Sequence, residues 1–220
     1  MRTILLLSWL LSLGVTGWAQ RISGGLSYHY FYSKQLDQSI QLYNFNRPFL
    51  ENNQSLFKHG ASLEFSYLFT NEKGWNQGIN CTYSFFGSEG ANTDYLNRFH
   101  LHQIYLNYVL RFAQESPFFG EVQLGIASSG LYRRVNGEPF LIDDSRSKSL
   151  GIGGNIGIKL AYSAVNRDKH HLSPFVYAGF TPYVYAPKNE AVINATQELY
   201  TKNYMNALHL RVGLAYELDL

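Results

Sequence analysis

The last thirteen residues of the chain, Leu208-His-Leu-Arg-Val-Gly-Leu-Ala-Tyr-Glu-Leu-Asp-Leu220, alternate between two kinds of side chain. Leu, Val and Tyr occupy the even-numbered positions, and charged, imidazole or very small side chains occupy the odd ones. Because successive side chains of a strand point to opposite faces, the segment predicts a strand with one wholly apolar face. A soluble sandwich would bury that face in a core, whereas a membrane barrel would turn it outward to lipid.

Seven other segments repeat this alternation. It is clearest in residues 57–69, 103–112 and 150–162, and weaker in 22–32, 75–85, 118–127 and 174–185. The sequence therefore predicts eight strands, an even number. At ten or more residues, the strands are longer than the five or six residues common in globular sheets, and they match the length that a tilted membrane strand needs.

The segments between the predicted strands also alternate, in this case by length. Long connections (33–56, 86–98, 128–149, 186–206) take turns with short ones (70–74, 114–117, 164–173). This asymmetry is typical of an up-and-down barrel in a bacterial outer membrane, which has tight periplasmic turns and longer outer loops. A soluble sandwich has no physical reason to sort its loops in this way.

Composition agrees with a chain that meets an apolar environment. Of the 220 residues, 45% are hydrophobic, 16% are aromatic and only 15% are charged, against about 25% charged in an ordinary soluble domain. The net charge is +2 and no basic cluster is larger than Arg133-Arg134, so a nucleic-acid partner is not expected. Cys81 is the only cysteine, which excludes an intramolecular disulfide.

The N-terminus has the pattern of an export signal. Arg2 supplies a positive start, residues 4–15 are largely apolar, and Gly17-Trp-Ala19 places small residues where a signal peptidase reads them. We therefore expect a signal peptide over residues 1–19 and a single barrel domain over 20–220. The alternative is an uncleaved anchor helix, but the apolar segment is shorter than the ~20 residues that span a bilayer.

Together, these features resemble the small eight-stranded outer-membrane barrels of the OmpA/OmpX type, over essentially the whole mature chain. The resemblance implies residence in the outer membrane of a Gram-negative-type cell, contact with outer-membrane lipids, and insertion by the barrel assembly machinery. Such barrels usually end on an aromatic residue that this machinery reads, whereas this chain ends on Leu220.

An outer-membrane barrel carries an aromatic girdle at each membrane interface. The predicted outer girdle consists of Tyr28, Tyr30, Tyr32, Tyr83 and Phe85, and the predicted periplasmic girdle consists of Phe69, Trp75, Phe112 and Phe118.

The polar faces of the strands then point into the lumen and bring charges with them. They predict a lumen charge network of Glu64, Arg111, Glu121, Lys159, Arg211 and Glu217. Arg111 and Glu121 flank the 114–117 turn, so they should pair across a hairpin near the periplasmic end, with Lys159 within reach. Buried charges must pair, and an eight-stranded barrel is just wide enough to be filled by side chains. This favours a closed plug, with a narrow pore as the alternative.

Glycine-rich residues 151–157, Gly-Ile-Gly-Gly-Asn-Ile-Gly, superficially resemble a nucleotide-binding loop. The dinucleotide fingerprint requires a glycine where Ile156 stands, and it requires a strand, turn and helix around it. We interpret these glycines instead as lumen-side positions that leave room for large neighbours in a narrow barrel.

The first outer loop is unusually apolar for a segment in water. Its candidate interaction surface consists of Leu42, Tyr43, Phe45 and Phe49. Either the loop folds back over the barrel mouth or it offers this surface to a protein partner.

His100 and His102 lie two residues apart on one face of a strand, so they could hold a metal ion or supply a base. The sequence shows no third ligand and no Ser-His-acid set at matching spacing. We therefore assign no catalytic residue, no metal and no cofactor. The leading hypothesis is a non-enzymatic barrel that supports the membrane or binds a partner through its outer loops. A pore and a lipid-modifying enzyme are the alternatives.

Overall fold

The computed structural model describes residues 20–48, 50–70, 76–91, 95–113, 116–137, 148–185 and 205–220. The predicted signal peptide lies outside these residues, and its cleavage stays a prediction. No helix in the described ranges has the length and hydropathy needed to cross a membrane. The elements, in chain order, are β1 (Gln20–Tyr32), α1 (Lys34–Phe45), β2 (His59–Thr70), β3 (Asn76–Ala91), β4 (Tyr95–Phe112), β5 (Phe118–Gly137), β6 (Lys148–Tyr162), β7 (Val165–Arg167), β8 (His170–Tyr185) and β9 (Met205–Asp219).

Eight of the strands close into an antiparallel barrel. Each of β1 to β5 pairs with its successor, β6 pairs with β8, β8 pairs with β9, and β9 returns to β1. The short strand β7 pairs with the start of β8 and extends that hairpin beyond the barrel. The predicted all-β fold, an eight-stranded up-and-down barrel, is confirmed.

The outer surface of the barrel is apolar over most of its height. Leu26, Ile126 and Leu150 are each exposed by more than 60%, and the alternating positions of every barrel strand behave in the same way. A soluble protein rarely exposes an apolar patch larger than a few hundred Å². This continuous band therefore fits the hydrocarbon layer of an outer membrane, in which a closed barrel leaves no unpaired backbone edge.

Aromatic side chains mark both ends of this band. The exposed residues of the predicted outer girdle are Tyr28, Tyr30, Tyr32, Tyr83 and Phe85, and those of the periplasmic girdle include Phe112 and Phe118. Phe69 is half-buried, and Trp75 lies outside the described residues.

Two predicted connections are wrong in length. The expected long loop 86–98 is largely strand, because β3 runs to Ala91 and pairs with β4 from Leu96 onward. The expected loop 128–149 is likewise shortened, because β5 continues to Gly137. Apolar alternation fades where strands leave the membrane, but ladder hydrogen bonds need no apolar side chains. The apolar alternation therefore predicts strands that are shorter at their outer ends than the observed strands.

Candidate functional site

The lumen holds a buried ionic layer nearest the periplasmic turns. All six predicted lumen charges lie in it with at most 5% exposure: Glu64, Arg111, Glu121, Lys159, Arg211 and Glu217. Three acids meet three bases, so the layer is formally neutral. Burial of such charges is tolerable only when each is paired and hydrogen-bonded.

Arg111 on β4 joins two carboxylates from opposite directions. Its Nε and Nη2 donate to Oε1 of Glu121, at 3.0 and 2.6 Å. Its Nη1 and Nη2 donate to Oε2 and Oε1 of Glu217, at 2.9 and 2.7 Å. The first pair crosses the β4–β5 hairpin, as the turn predicts, and the second crosses the lumen to β9. Such forked contacts are the strong form of an ion pair.

The other half of the ionic layer centres on Glu64. Lys159 donates to its Oε1, and Arg211 donates to its Oε2 at 3.3 Å. Lys159 Nζ also lies 3.9 Å from Oε2 of Glu121, which links the two halves. Arg21, which is not among the six predicted lumen charges, adds a contact of 3.2 Å to Glu217. The sequence contains a signal for this contact, because Arg21 lies at the start of the first strand and the oppositely charged Asp219 lies at the end of the last strand.

Aromatic rings cover the basic groups of this layer. Arg111 stacks over Phe119, with its Cζ atom 4.1 Å from the ring centre, and Arg211 lies over Tyr177 at 3.8 Å. Lys159 Nζ lies 4.3 Å from the ring centre of Phe175. Cation–π contacts of this kind strengthen as water is excluded. These rings therefore stabilise the charges, and they also fill space across the lumen.

A hydrogen-bonded layer lies above the charges. Nε2 of His29 and Nδ1 of His209 share a hydrogen bond of 3.0 Å, and Nδ1 of His29 contacts the hydroxyls of Ser62 and Ser84 at 2.8 and 3.0 Å. The hydroxyl of Tyr105 lies 3.3 Å from Nδ1 of His209. The gap among these rings and Arg211 leaves no room for a water molecule.

Helix α1 lies over the outer mouth, with one face packed against the barrel. Ser33 caps its N-terminus, since its side chain accepts from the Leu36 backbone N–H. Leu36, Ile40 and Tyr43 then follow at helical spacing and point down into the barrel. With them, an apolar cluster forms the outer cap: Phe31, Leu36, Ile40, Tyr43, Leu50, Phe57, Phe86, Phe99, Leu101, Tyr105, Ala127, Leu131, Tyr183, Met205 and Ala207.

Polar contacts hold the outer cap to the barrel. The amide of Asn44 donates to the Gln54 carbonyl at 2.9 Å and accepts from the Gln54 N–H at 2.7 Å. Lys58 pairs with Asp37 of α1. The helix is therefore fixed at its first turn and at its end.

Tyr43 does not belong to an interaction surface, and its assignment to one was wrong. Its ring is fully buried and stacks edge-on against Phe99 at 5.5 Å. The spacing of 36, 40 and 43 directs this residue inward, whereas Phe45 lies on the opposite side of α1 and is 80% exposed. Leu42 is half-buried, and Phe49 lies outside the described residues. The loop thus folds back over the mouth and still exposes one large apolar group.

His100 and His102 point outward rather than into the lumen. Phe85 contacts both rings, at 5.5 and 5.1 Å between ring centres. The Tyr83 hydroxyl and Nδ1 of His102 share a hydrogen bond of 2.6 Å. Within the described residues, no three His, Cys, Asp or Glu side chains group in a way that could hold a metal ion.

Gly157 of β6 faces the lumen and makes room for Tyr177, whereas Gly154 shares the outward phase of the exposed positions 152 and 156 rather than the lumen side. A Cβ atom on Gly157 would lie 2.2 Å from the Tyr177 hydroxyl, and this ring supports Arg211. Gly157→Ala should therefore displace the ring and lower the free energy of unfolding by about 1–3 kcal/mol. Gly154→Ala on the same strand is the control, because its nearest neighbours lie 3.9 Å away. Urea midpoints that fall equally in both variants would contradict this packing.

Comparison with solved structures returns small outer-membrane barrels. The chain is similar to Neisserial surface protein A (10% identity, TM-score 0.51), covering 91% of this chain and 97% of that one. It is also similar to a major outer membrane protein from Thermus thermophilus (10% identity, TM-score 0.51), covering 90% and 99%. The attachment invasion locus protein of Yersinia pestis aligns at 9% identity with a TM-score of 0.48, covering 92% and 100%.

No protein-family model matches the chain, and the comparison with curated protein sequences gave no significant match. At these identities the structural likeness speaks for the fold alone. The fold is that of a small outer-membrane barrel, as the sequence resemblance implied.

Proposed function

We propose that this outer-membrane barrel is a closed, non-enzymatic scaffold that presents a folded outer surface to a partner outside the cell. The observation that carries the proposal is the filled lumen. The ionic layer and the outer cap each close the barrel at a different depth, and they are built from different interactions.

A solute would have to break both closures to pass. Opening the ionic layer would separate paired charges in a poorly hydrated space, where loss of one partner typically costs about 3–5 kcal/mol. Opening the outer cap would move α1 away from its apolar contacts. This double closure favours a scaffold over the alternative of a narrow pore.

The outer end offers a shaped surface instead. Strands β3, β4 and β5 continue past the outer girdle, and Glu89 and Arg98 pair across the resulting hairpin, with Oε1 and Nε 2.8 Å apart. Beside them, α1 exposes Phe45 on a helix that is fixed from below. Binding residues commonly lie on loops that a rigid scaffold positions, and this arrangement suits that role.

A lipid-modifying enzyme finds less support. The His29 and His209 side chains are buried beneath the outer cap, to which Tyr105 belongs, and are out of reach of a membrane lipid. His100 and His102 do face outward, but their described neighbours are Phe85, Tyr83 and Tyr132 rather than a serine or a carboxylate.

Planar-bilayer recordings test the proposal. Because both closures must open before ions pass, we expect the refolded protein to show no steady single-channel steps. Mass spectrometry of the lipids of cells that express it should show no mass shift. Large, steady steps would establish the pore, and a shifted lipid mass would establish the enzyme.

A further inference from the structure

A notch lies on the lipid-facing side of the barrel at the outer girdle, between two histidines. Gly87 on β3 forms its floor and points outward. Directly beside it on β4 is His100, its partner in the strand register. On the other side, His59 precedes Gly60, which pairs with Phe86, so His59 lies next to Gly87 on β2.

The space above Gly87 is open. Among the described residues, a Cβ atom built on Gly87 would find no other atom within 4 Å. Most glycines of this barrel are different, since a Cβ on Gly60, Gly78 or Gly125 would meet another atom at 2.3 Å or less. Glycine at an outward position allows an external group to approach the backbone closely.

The two imidazoles are held in place by aromatic neighbours. The Tyr28 hydroxyl contacts Nδ1 of His59, and the two rings stack at 5.8 Å. Among the described residues no side chain bonds Nε2 of His59, so this nitrogen can bond a ligand. His100 stacks on Phe85 at 5.5 Å, and its Nδ1 has no hydrogen-bond partner within the described chain. Because this Nδ1 is buried, a group that approaches the notch from outside the barrel can bond only the other ring nitrogen of His100, Nε2.

The position of the notch along the membrane normal indicates which part of a lipid can reach it. Gln77 lies at the periplasmic start of β3, ten residues before Gly87. At a strand tilt of about 40°, ten residues rise about 25 Å along the membrane normal, which is the height of the apolar band. Gly87 therefore lies at the outer membrane boundary, level with lipid headgroups. Just beyond it, Glu89 and Arg98 form an ion pair between two exposed side chains, as expected of a position outside the hydrocarbon layer.

We propose that this notch, bounded by His59, Gly87 and His100, binds a phosphate of an outer-leaflet glycolipid. The outer leaflet of such a membrane is rich in glycolipids with phosphorylated sugars. Imidazole N–H groups donate to phosphate oxygens, and hydrogen bonds to a charged group are about twice as strong as neutral ones. The proposal is independent of whether the barrel conducts ions or binds a protein.

The test fills the notch without disturbing the fold. Gly87→Leu places a side chain in open space, so the barrel should keep its urea midpoint. The matched control is Gly24→Leu, because a Cβ on Gly24 also meets nothing within 4 Å and this glycine also faces lipid. Gly24 lies nearer the periplasmic end and has Phe65 and Tyr216 beside it in the register.

Purified protein in detergent is incubated with diphosphorylated lipid A, with its dephosphorylated form or with phosphatidylglycerol, and bound lipid is counted by native mass spectrometry. We expect the wild type and Gly24→Leu to retain the phosphorylated glycolipid at least about tenfold better than the other two lipids. Gly87→Leu and the double variant His59→Gln with His100→Gln should lose that preference.

Three results would overturn the site. The first is no preference in the wild type, which includes equal retention of phosphatidylglycerol. The second is an equal loss in Gly24→Leu, which would mean a general effect of the lipid-facing surface. The third is full retention by both the Gly87 variant and the double histidine variant.

Discussion

Arg111→Ala is expected to lower the free energy of unfolding by about 3–5 kcal/mol, the usual cost of breaking a buried ion pair. The guanidinium serves Glu121 and Glu217 together, so its loss leaves a lumen with two bases and three acids. The measurement is a urea titration of the refolded barrel in detergent, followed by circular dichroism. Arg167→Ala, at an exposed position of β7, is the control and should leave the midpoint unchanged.

Removing one carboxylate as well should recover part of the loss, because an orphaned charge is then gone. The geometry predicts which carboxylate matters more. Without Arg111, Glu217 keeps an ion pair with Arg21 at 3.2 Å, whereas among the described residues Glu121 keeps the longer contact of 3.9 Å to Lys159 and a neutral hydrogen bond of 3.3 Å from Gln123. Arg111→Ala with Glu121→Ala should therefore be more stable than Arg111→Ala with Glu217→Ala. Equal midpoints for Arg111→Ala and Arg167→Ala would mean that the strand phase is wrong.

Ile40→Asp should release the outer cap. The side chain of Ile40 is 2% exposed and lies among apolar neighbours, and an unpaired carboxylate in such a place costs several kcal/mol. We expect α1 to leave the mouth and residues 33–58 to become accessible to protease. Gln41→Asp is the matched control, because this neighbour carries the same new charge on an exposed face of the helix.

The barrel of Ile40→Asp should remain closed to ions, because the ionic layer below does not depend on α1. Cleavage within 33–58 is measured over time by gel electrophoresis, and conductance is measured in planar bilayers. Equal cleavage rates in Ile40→Asp and Gln41→Asp would contradict the inward placement of the helix. Steady channel steps in Ile40→Asp would show that the cap alone closes the lumen.

Much of the candidate site could be predicted from local sequence patterns. Alternation with a period of two assigns each strand residue to one face, so the six lumen charges follow once the apolar face is turned outward. The Arg111–Glu121 contact could also be predicted, because both residues lie on one hairpin, and its register is fixed by the turn. Both features depend on residues that are close together in the chain.

Other features depend on residues that lie far apart. Arg111 and Glu217 are 106 positions apart, and Lys159 and Glu64 are 95 apart. Their meeting depends on the register with which β6 joins β8 and β9 joins β1. No turn connects β9 to β1, and the segment that carries β7 separates β6 from β8, so local geometry cannot fix which charge faces which across the lumen.

The sequence by itself determined the fold class, the strand phase and the neutral charge of the lumen, because these follow from side-chain alternation along single strands. Only the tertiary structure decided that the first loop forms a helix over the mouth with Tyr43 inside and Phe45 outside. The apolar residues of that loop were compatible with either a cap or a binding surface. The choice rests on Phe31, Phe86 and Phe99, which barrel closure brings from three strands to the rim that α1 covers.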